Sequence, residues 1–162
     1  MATLPQLIEE DIRELNRALE ELLIKSEANS ALIIDKGGFL ISQCGEYQDL
    51  DTTTLAALSA ASYAATQSIA GLVNETDFTS VYQQGQTFSI LVRNVDEYCL
   101  LTVVFKAKLS VGAVKYYSDP AIQAIAEQLK RAHDRAPEGG LDLSMANLAD
   151  PSPLFKKKSA RG

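Results

Sequence analysis

Apolar and polar positions along the chain fall into eight blocks with different periods. Residues 5–25 repeat at helical spacing, with Ile8, Ile12, Leu15, Leu19 and Leu22 on one side. Glu9, Glu10, Arg13, Glu14, Arg17 and Glu21 form the opposite side, as expected of a helix with one wet face. Within that pattern Glu9, Glu10 and Asp11 read as a solvated acidic face, and Pro5 suits a first helical position. Ser30–Lys36, rich in branched residues, and Phe39–Cys44 read as two strands joined at Gly37-Gly38, where a tight turn needs positive φ. A second helix is expected from Thr52 to Asn74, capped by Asp51 or Thr52. Three further strands follow: Phe78–Gln84, Phe88–Arg93 and Tyr98–Phe105. The last is nearly all apolar, which predicts a central strand covered on both faces. Leu109–His133 returns to helical spacing. Pro120, with Asp119 as a cap before it, predicts a kink or a division into two parts.

The short turns favour antiparallel neighbours. The expected fold is therefore α+β, in the order α-β-β-α-β-β-β-α, with a five-stranded antiparallel sheet and helices on both faces. The expected division is a domain over residues 1–135 and a tail over 136–162. The tail has three prolines, paired glycines and no sustained period, a composition that predicts disorder. Near its end Leu154-Phe155 precede Lys156, Lys157 and Lys158, which reads either as a docking peptide for an acidic surface or as a solubilising end.

The second helix is the unusual block, because no residue from Thr52 to Asn74 is charged. Its spacing divides it into three faces. Leu55, Leu58, Ser62, Ala65, Ile69 and Leu72 read as the stripe facing the domain's own core. Ala57, Ala61, Ala64, Ser68 and Gly71 form a stripe of small residues. Ser59, Tyr63, Thr66, Gln67 and Ala70 form a third face, mostly polar. A surface helix normally shows water a charged side. Either this helix is buried on two sides within the domain, or other chains cover its outer faces. The remaining chain is short for burying all of it, which favours an interface. The candidate dimer or partner residues are Ala57, Ala61, Ala64, Ser68 and Gly71, the neighbouring Tyr63 and Gln67, and Phe78, Ser80 and Tyr82 on the strand that follows.

Composition narrows the function classes. The net charge of -6 leaves no basic face for phosphates, so no nucleic acid is expected as a partner. No membrane span is expected, since no run of about 20 apolar residues occurs. The N-terminal residues carry no signal-peptide pattern, which predicts a cytoplasmic protein. Cys44 and Cys99 lie in apolar runs without CxxC spacing and read as small buried hydrophobes. The single histidine, His133, sits near the end of the last helix, far from any nucleophile pattern. No metal-ligand spacing and no P-loop motif occur. No catalytic residue, cofactor or metal is expected, and Arg93 reads as an ordinary surface arginine.

Five pieces, in order, carry a resemblance: ALIIDKGGFLIS, DLDTTTLAALSAA, VYQQG, LLTVVF and LSVGAVK. Over about residues 8–133 the chain resembles the Roadblock/dynein light chain family, and within it the bacterial MglB-like branch. That resemblance implies a homodimer formed by pairing second helices and third strands, here Thr52–Asn74 and Phe78–Gln84. It implies a Ras-like small GTPase (MglA-like) as partner, bound in its GTP state on the helix face, with hydrolysis promoted without an arginine finger. The alternatives are a scaffold that leaves the GTPase rate unchanged and a self-assembling adaptor with no GTPase partner.

Overall fold

The computed structural model describes residues 3–139. The order is α1 (Glu9–Ser26), β1 (Ser30–Asp35), β2 (Leu40–Gly45), α2 (Thr52–Leu72), β3 (Ser80–Gln84), β4 (Phe88–Asn94), β5 (Cys99–Lys106) and α3 (Val111–Gly139). The strands form one antiparallel sheet in the order β2-β1-β5-β4-β3. The expected order of elements and sheet are therefore present, with β5 in the middle, as its nearly all-apolar run predicts.

Strand alternation builds two cores. Ala31, Ile33, Leu101, Val103 and Phe105 face one side, where α1 brings Leu15, Leu19 and Leu22 and α3 brings Val114, Ile125 and Leu129. Leu32, Ile34, Val92 and Leu100 face the other side, beneath Ala56, Ala60 and Tyr63 of α2. Two helices thus cover one face of the sheet and one helix covers the other. Gly38 supplies the turn between β1 and β2 with φ 97°, and Asp35 Oδ1 accepts from the Phe39 N–H at 2.9 Å.

Four local expectations are corrected. Helix α1 begins at Glu9, not at Pro5, and Asp11 in its first turn is fully buried. Its carboxylate accepts from the Ile8 N–H and from Gln128 Nε2, both at 2.8 Å, and pairs with the Arg135 guanidinium. Burial raises its pKa, but the Ile8 N–H, Arg135 and Gln128 together hold it below the usual 3.8. Helix α3 runs through Pro120 as one helix of 29 residues, with no division there. Pro120 has no N–H to offer the preceding turn. That turn is instead fastened from the sheet. Arg93 Nη1 donates to Lys115 O at 3.1 Å and to Ser118 Oγ at 2.7 Å, and pairs with Asp119. Arg93 is accordingly a strap between β4 and α3, its side chain only 19% exposed, and no free surface arginine. Helix α3 is described as far as Gly139. The tail from residue 140, with Leu154-Phe155 and the lysines after them, lies outside the described residues.

Candidate protein-interaction face

Asp51 starts α2 as expected: its carboxylate accepts from the Thr54 N–H at 3.0 Å and the Thr54 hydroxyl at 2.6 Å. These two bonds, the side-chain one first, lower its pKa. The helix ends where Asn74 turns left-handed at φ 60° and Ala70 O accepts from both Val73 N and Glu75 N.

The core face of α2 is not the expected stripe. Ala56, Ser59, Ala60, Tyr63 and Ala70 are buried, and Thr66 and Gln67 are half-buried. The face read as polar is therefore the one that packs inward. Leu58, Ile69 and Leu72, expected in the core, are 62%, 52% and 83% exposed. The inversion has a steric cause. The sheet beneath already presents Leu32, Ile34, Val92 and Leu100, so α2 approaches it mainly with alanines and serine, with Tyr63 as a large side chain buried beside them. Polar members of that face are satisfied locally. The Tyr63 hydroxyl donates to Phe78 O at 3.0 Å, and Gln67 Nε2 donates to the same oxygen at 2.9 Å. The Phe78 N–H returns a bond to Gln67 Oε1 at 3.2 Å. These bonds fasten the second half of α2 to the chain entering β3.

The ten candidate residues therefore divide. Ala57, Ala61, Ala64, Ser68 and Gly71 are all exposed, and a Cβ built on Gly71 meets nothing within 4 Å. Tyr63, Gln67 and Phe78 are engaged within the chain. The Tyr63 ring also lies 5.9 Å from the Lys36 ammonium, and its hydroxyl pKa is raised by burial and then by Asp77. Ser80 opens β3 opposite Arg93 and is half-buried. Tyr82 is 37% exposed, and its ring stacks on Phe105 with centroids 6.2 Å apart. Strand β3 pairs with β4 alone, so its outer edge has no strand partner among the described residues.

At about 100° per residue the exposed surface of α2 has two flanks. Leu58 and Ile69 lie on the flank of Leu55, and Leu72 with Ala65 stands at the crest. Ala57, Ala64, Ser68 and Gly71 lie on the opposite flank, beside the β1–β2 turn, where a Cβ on Gly38 would come within 3.1 Å of Ala57 Cα. Neither flank carries a charge. The helix thus presents one flank of large apolar side chains and one of small ones, the second close enough to backbone for another chain to approach tightly.

Beyond Leu55 lies a groove of about 950 Å³ that sequence reasoning did not find. Ile90, Val104 and Phe88 form its apolar side, and Glu46 and Asp49 of the β2–α2 loop line it as well. Ser30, 1% exposed, keeps an unpartnered Oγ there. Among the described residues no group of His, Cys, Asp and Glu is placed to hold a metal, and no helix is long and apolar enough to cross a membrane. Burial, with Asp96 and Asp35 next, pushes the Cys99 thiol far up, consistent with an inert core position.

Residues 14–105 match the Roadblock/LC7 domain. Among solved structures, an MglB with a tetrameric arrangement superposes with TM-score 0.75 at 30% identity, covering 82% of this chain and 99% of that one. Myxococcus xanthus MglB gives 0.73 at 28% identity, covering 78% and 96%. The gliding protein MglB of Thermus thermophilus gives 0.73 at 29% identity, covering 81% and 99%. No curated protein matches the chain significantly. With β5 central, β3 at an edge and an uncharged α2 across the sheet, the chain belongs to the Roadblock/LC7 family, on its MglB-like side.

Proposed function

We propose that two copies of this chain pair through β3 edges and the large-residue flank of α2. The pair binds a Ras-like small GTPase in its GTP state on the small-residue flank and stimulates GTP hydrolysis. One observation carries the reading: α2 satisfies its inward face within the chain and still exposes uncharged flanks along its whole length. Leaving Leu58, Ile69 and Leu72 in water costs hydrophobic free energy that a second chain recovers. The likeness to MglB structures supports the same reading.

In this reading the chain contributes shape and no reacting group. Arg93 is held against α3, so the small flank offers a surface on which the GTPase arranges its own switch loops. Ala64→Arg tests the assignment. Ala64 is exposed, so the fold is expected to stand, and the unpaired guanidinium is expected to weaken GTPase binding at least tenfold. The experiment is single-turnover hydrolysis by an MglA-like GTPase with and without the protein. Acceleration that disappears with Ala64→Arg supports the reading. Binding without acceleration replaces it with a scaffold role. Acceleration that survives Ala64→Arg moves the site off the small flank.

A further inference from the structure

We propose that Lys36, on the turn between β1 and β2, orients the GTPase on the small flank of α2 by pairing with an acidic side chain of the GTPase. This role rests on the docking face proposed above and names the contact that makes it specific. A flank of alanine, serine and glycine lets another backbone approach closely, but apolar contact has no direction. Orientation therefore has to come from a charge at the border of that flank. Lys36 is the only Lys or Arg among residues 26–92, the stretch that builds β1, β2, α2 and β3. Its side chain is exposed, and its ammonium lies 5.9 Å from the centre of the Tyr63 ring of α2. In the same turn a Cβ on Gly38 would come within 3.1 Å of Ala57 Cα, so the cation stands at the border of the small flank.

The cation is placed before any partner arrives. The Lys36 N–H donates to Tyr98 O at 2.8 Å, and the Gly38 N–H donates to Asp35 O at 3.0 Å. The neighbouring carboxylate, Asp35, is engaged with the Phe39 N–H. The Tyr63 ring is itself held by its hydroxyl, which donates to Phe78 O at 3.0 Å. Among the described residues no carboxylate pairs with Lys36. A ring face attracts an ammonium but leaves its donors to water. A protein that covers the small flank strips part of that water, and a cation left unpaired at a drying border weakens binding. The fitting GTPase therefore presents Asp or Glu at this point, and one that presents Lys or Arg is rejected.

Fluorescence anisotropy of the GTPase loaded with a GTP analogue tests this, at about 0.05 M and about 0.5 M salt. The full chain is compared with Lys36→Gln, Lys36→Glu and Ala64→Arg. At the lower salt, Lys36→Glu is expected to raise Kd about tenfold and Lys36→Gln about threefold, and at the higher salt both differences shrink to within about twofold. The protein concentration giving half-maximal hydrolysis rises in parallel, while the maximal rate keeps its parent value. Because the side chain is exposed, both Lys36 variants are expected to melt and sediment as the parent does. Lys36→Glu binding as tightly as the parent at the lower salt, while Ala64→Arg binds weakly, would overturn the role of Lys36 alone. A loss equal at both salt concentrations would also overturn it, since salt screens a charge contact at the surface. No binding by the parent, or binding that ignores Ala64→Arg, would overturn the docking face itself and the role of Lys36 with it.

Discussion

At the scale of single residues, Asp11 and Gly38 show how much of this fold depends on local chemistry. Asp11 is a fully buried carboxylate whose ionised form is held by the Ile8 N–H, Arg135 and Gln128. Asp11→Asn is expected to cost about 2 kcal/mol, since charge-assisted bonds are lost from a dry site. The pH dependence follows from the direction of the shift. A folded-state pKa below 3.8 means the stabilisation is complete above that value and is lost as pH falls through the lower folded one. Urea midpoints measured from pH 7 down to pH 2 are expected to fall less steeply in acid for Asp11→Asn than for the parent chain. Gly38→Ala is expected to cost about 1–2 kcal/mol by thermal melting, because an L residue at φ 97° is strained and its Cβ would press on Ala57. Gly38 was legible as a turn glycine from the Gly37-Gly38 pair. The burial of Asp11 was also written in the sequence, since Asp11, Leu15, Ala18 and Leu22 share one helical stripe. The acidic run around it masked that signal.

Whole elements were more legible than faces. Periods of two and of about 3.6 residues located every strand and helix, because alternation and helical spacing are properties of the local backbone. Pro120 misled because its missing N–H matters only if nothing else secures the turn, and Arg93 arrives from β4, far away in sequence. The faces of α2 misled for a related reason. Hydrophobic spacing identifies a stripe that avoids water but not the chain that covers it. Leu58, Ile69 and Leu72 form a sound apolar stripe with no partner inside the described residues. Leu72→Asp is therefore expected to leave the fold of one chain intact, because the residue is 83% exposed, and to convert a dimer into monomers in sedimentation velocity. Unfolding of Leu72→Asp would contradict the exposed placement of this turn.

At the scale of the whole molecule, the sheet has unequal surroundings. One face lies under α1 and α3. The other lies under α2 alone, whose outer flanks, with the β3 edge beside them, remain uncharged and open. Such a molecule has buried what it needs for its own fold and kept an apolar surface in reserve. That division is invisible in composition, where 46% hydrophobic residues and a net charge of -6 describe an ordinary acidic domain. It becomes visible when the buried positions of α2 are compared with its uncharged length. The most direct measurement is light scattering of the purified protein, alone and mixed with an MglA-like GTPase loaded with a GTP analogue or with GDP. A dimer that gains GTPase only with the GTP analogue is the expected result. A monomer at micromolar concentration, or a dimer that ignores the GTPase in both nucleotide states, would contradict the role assigned to α2.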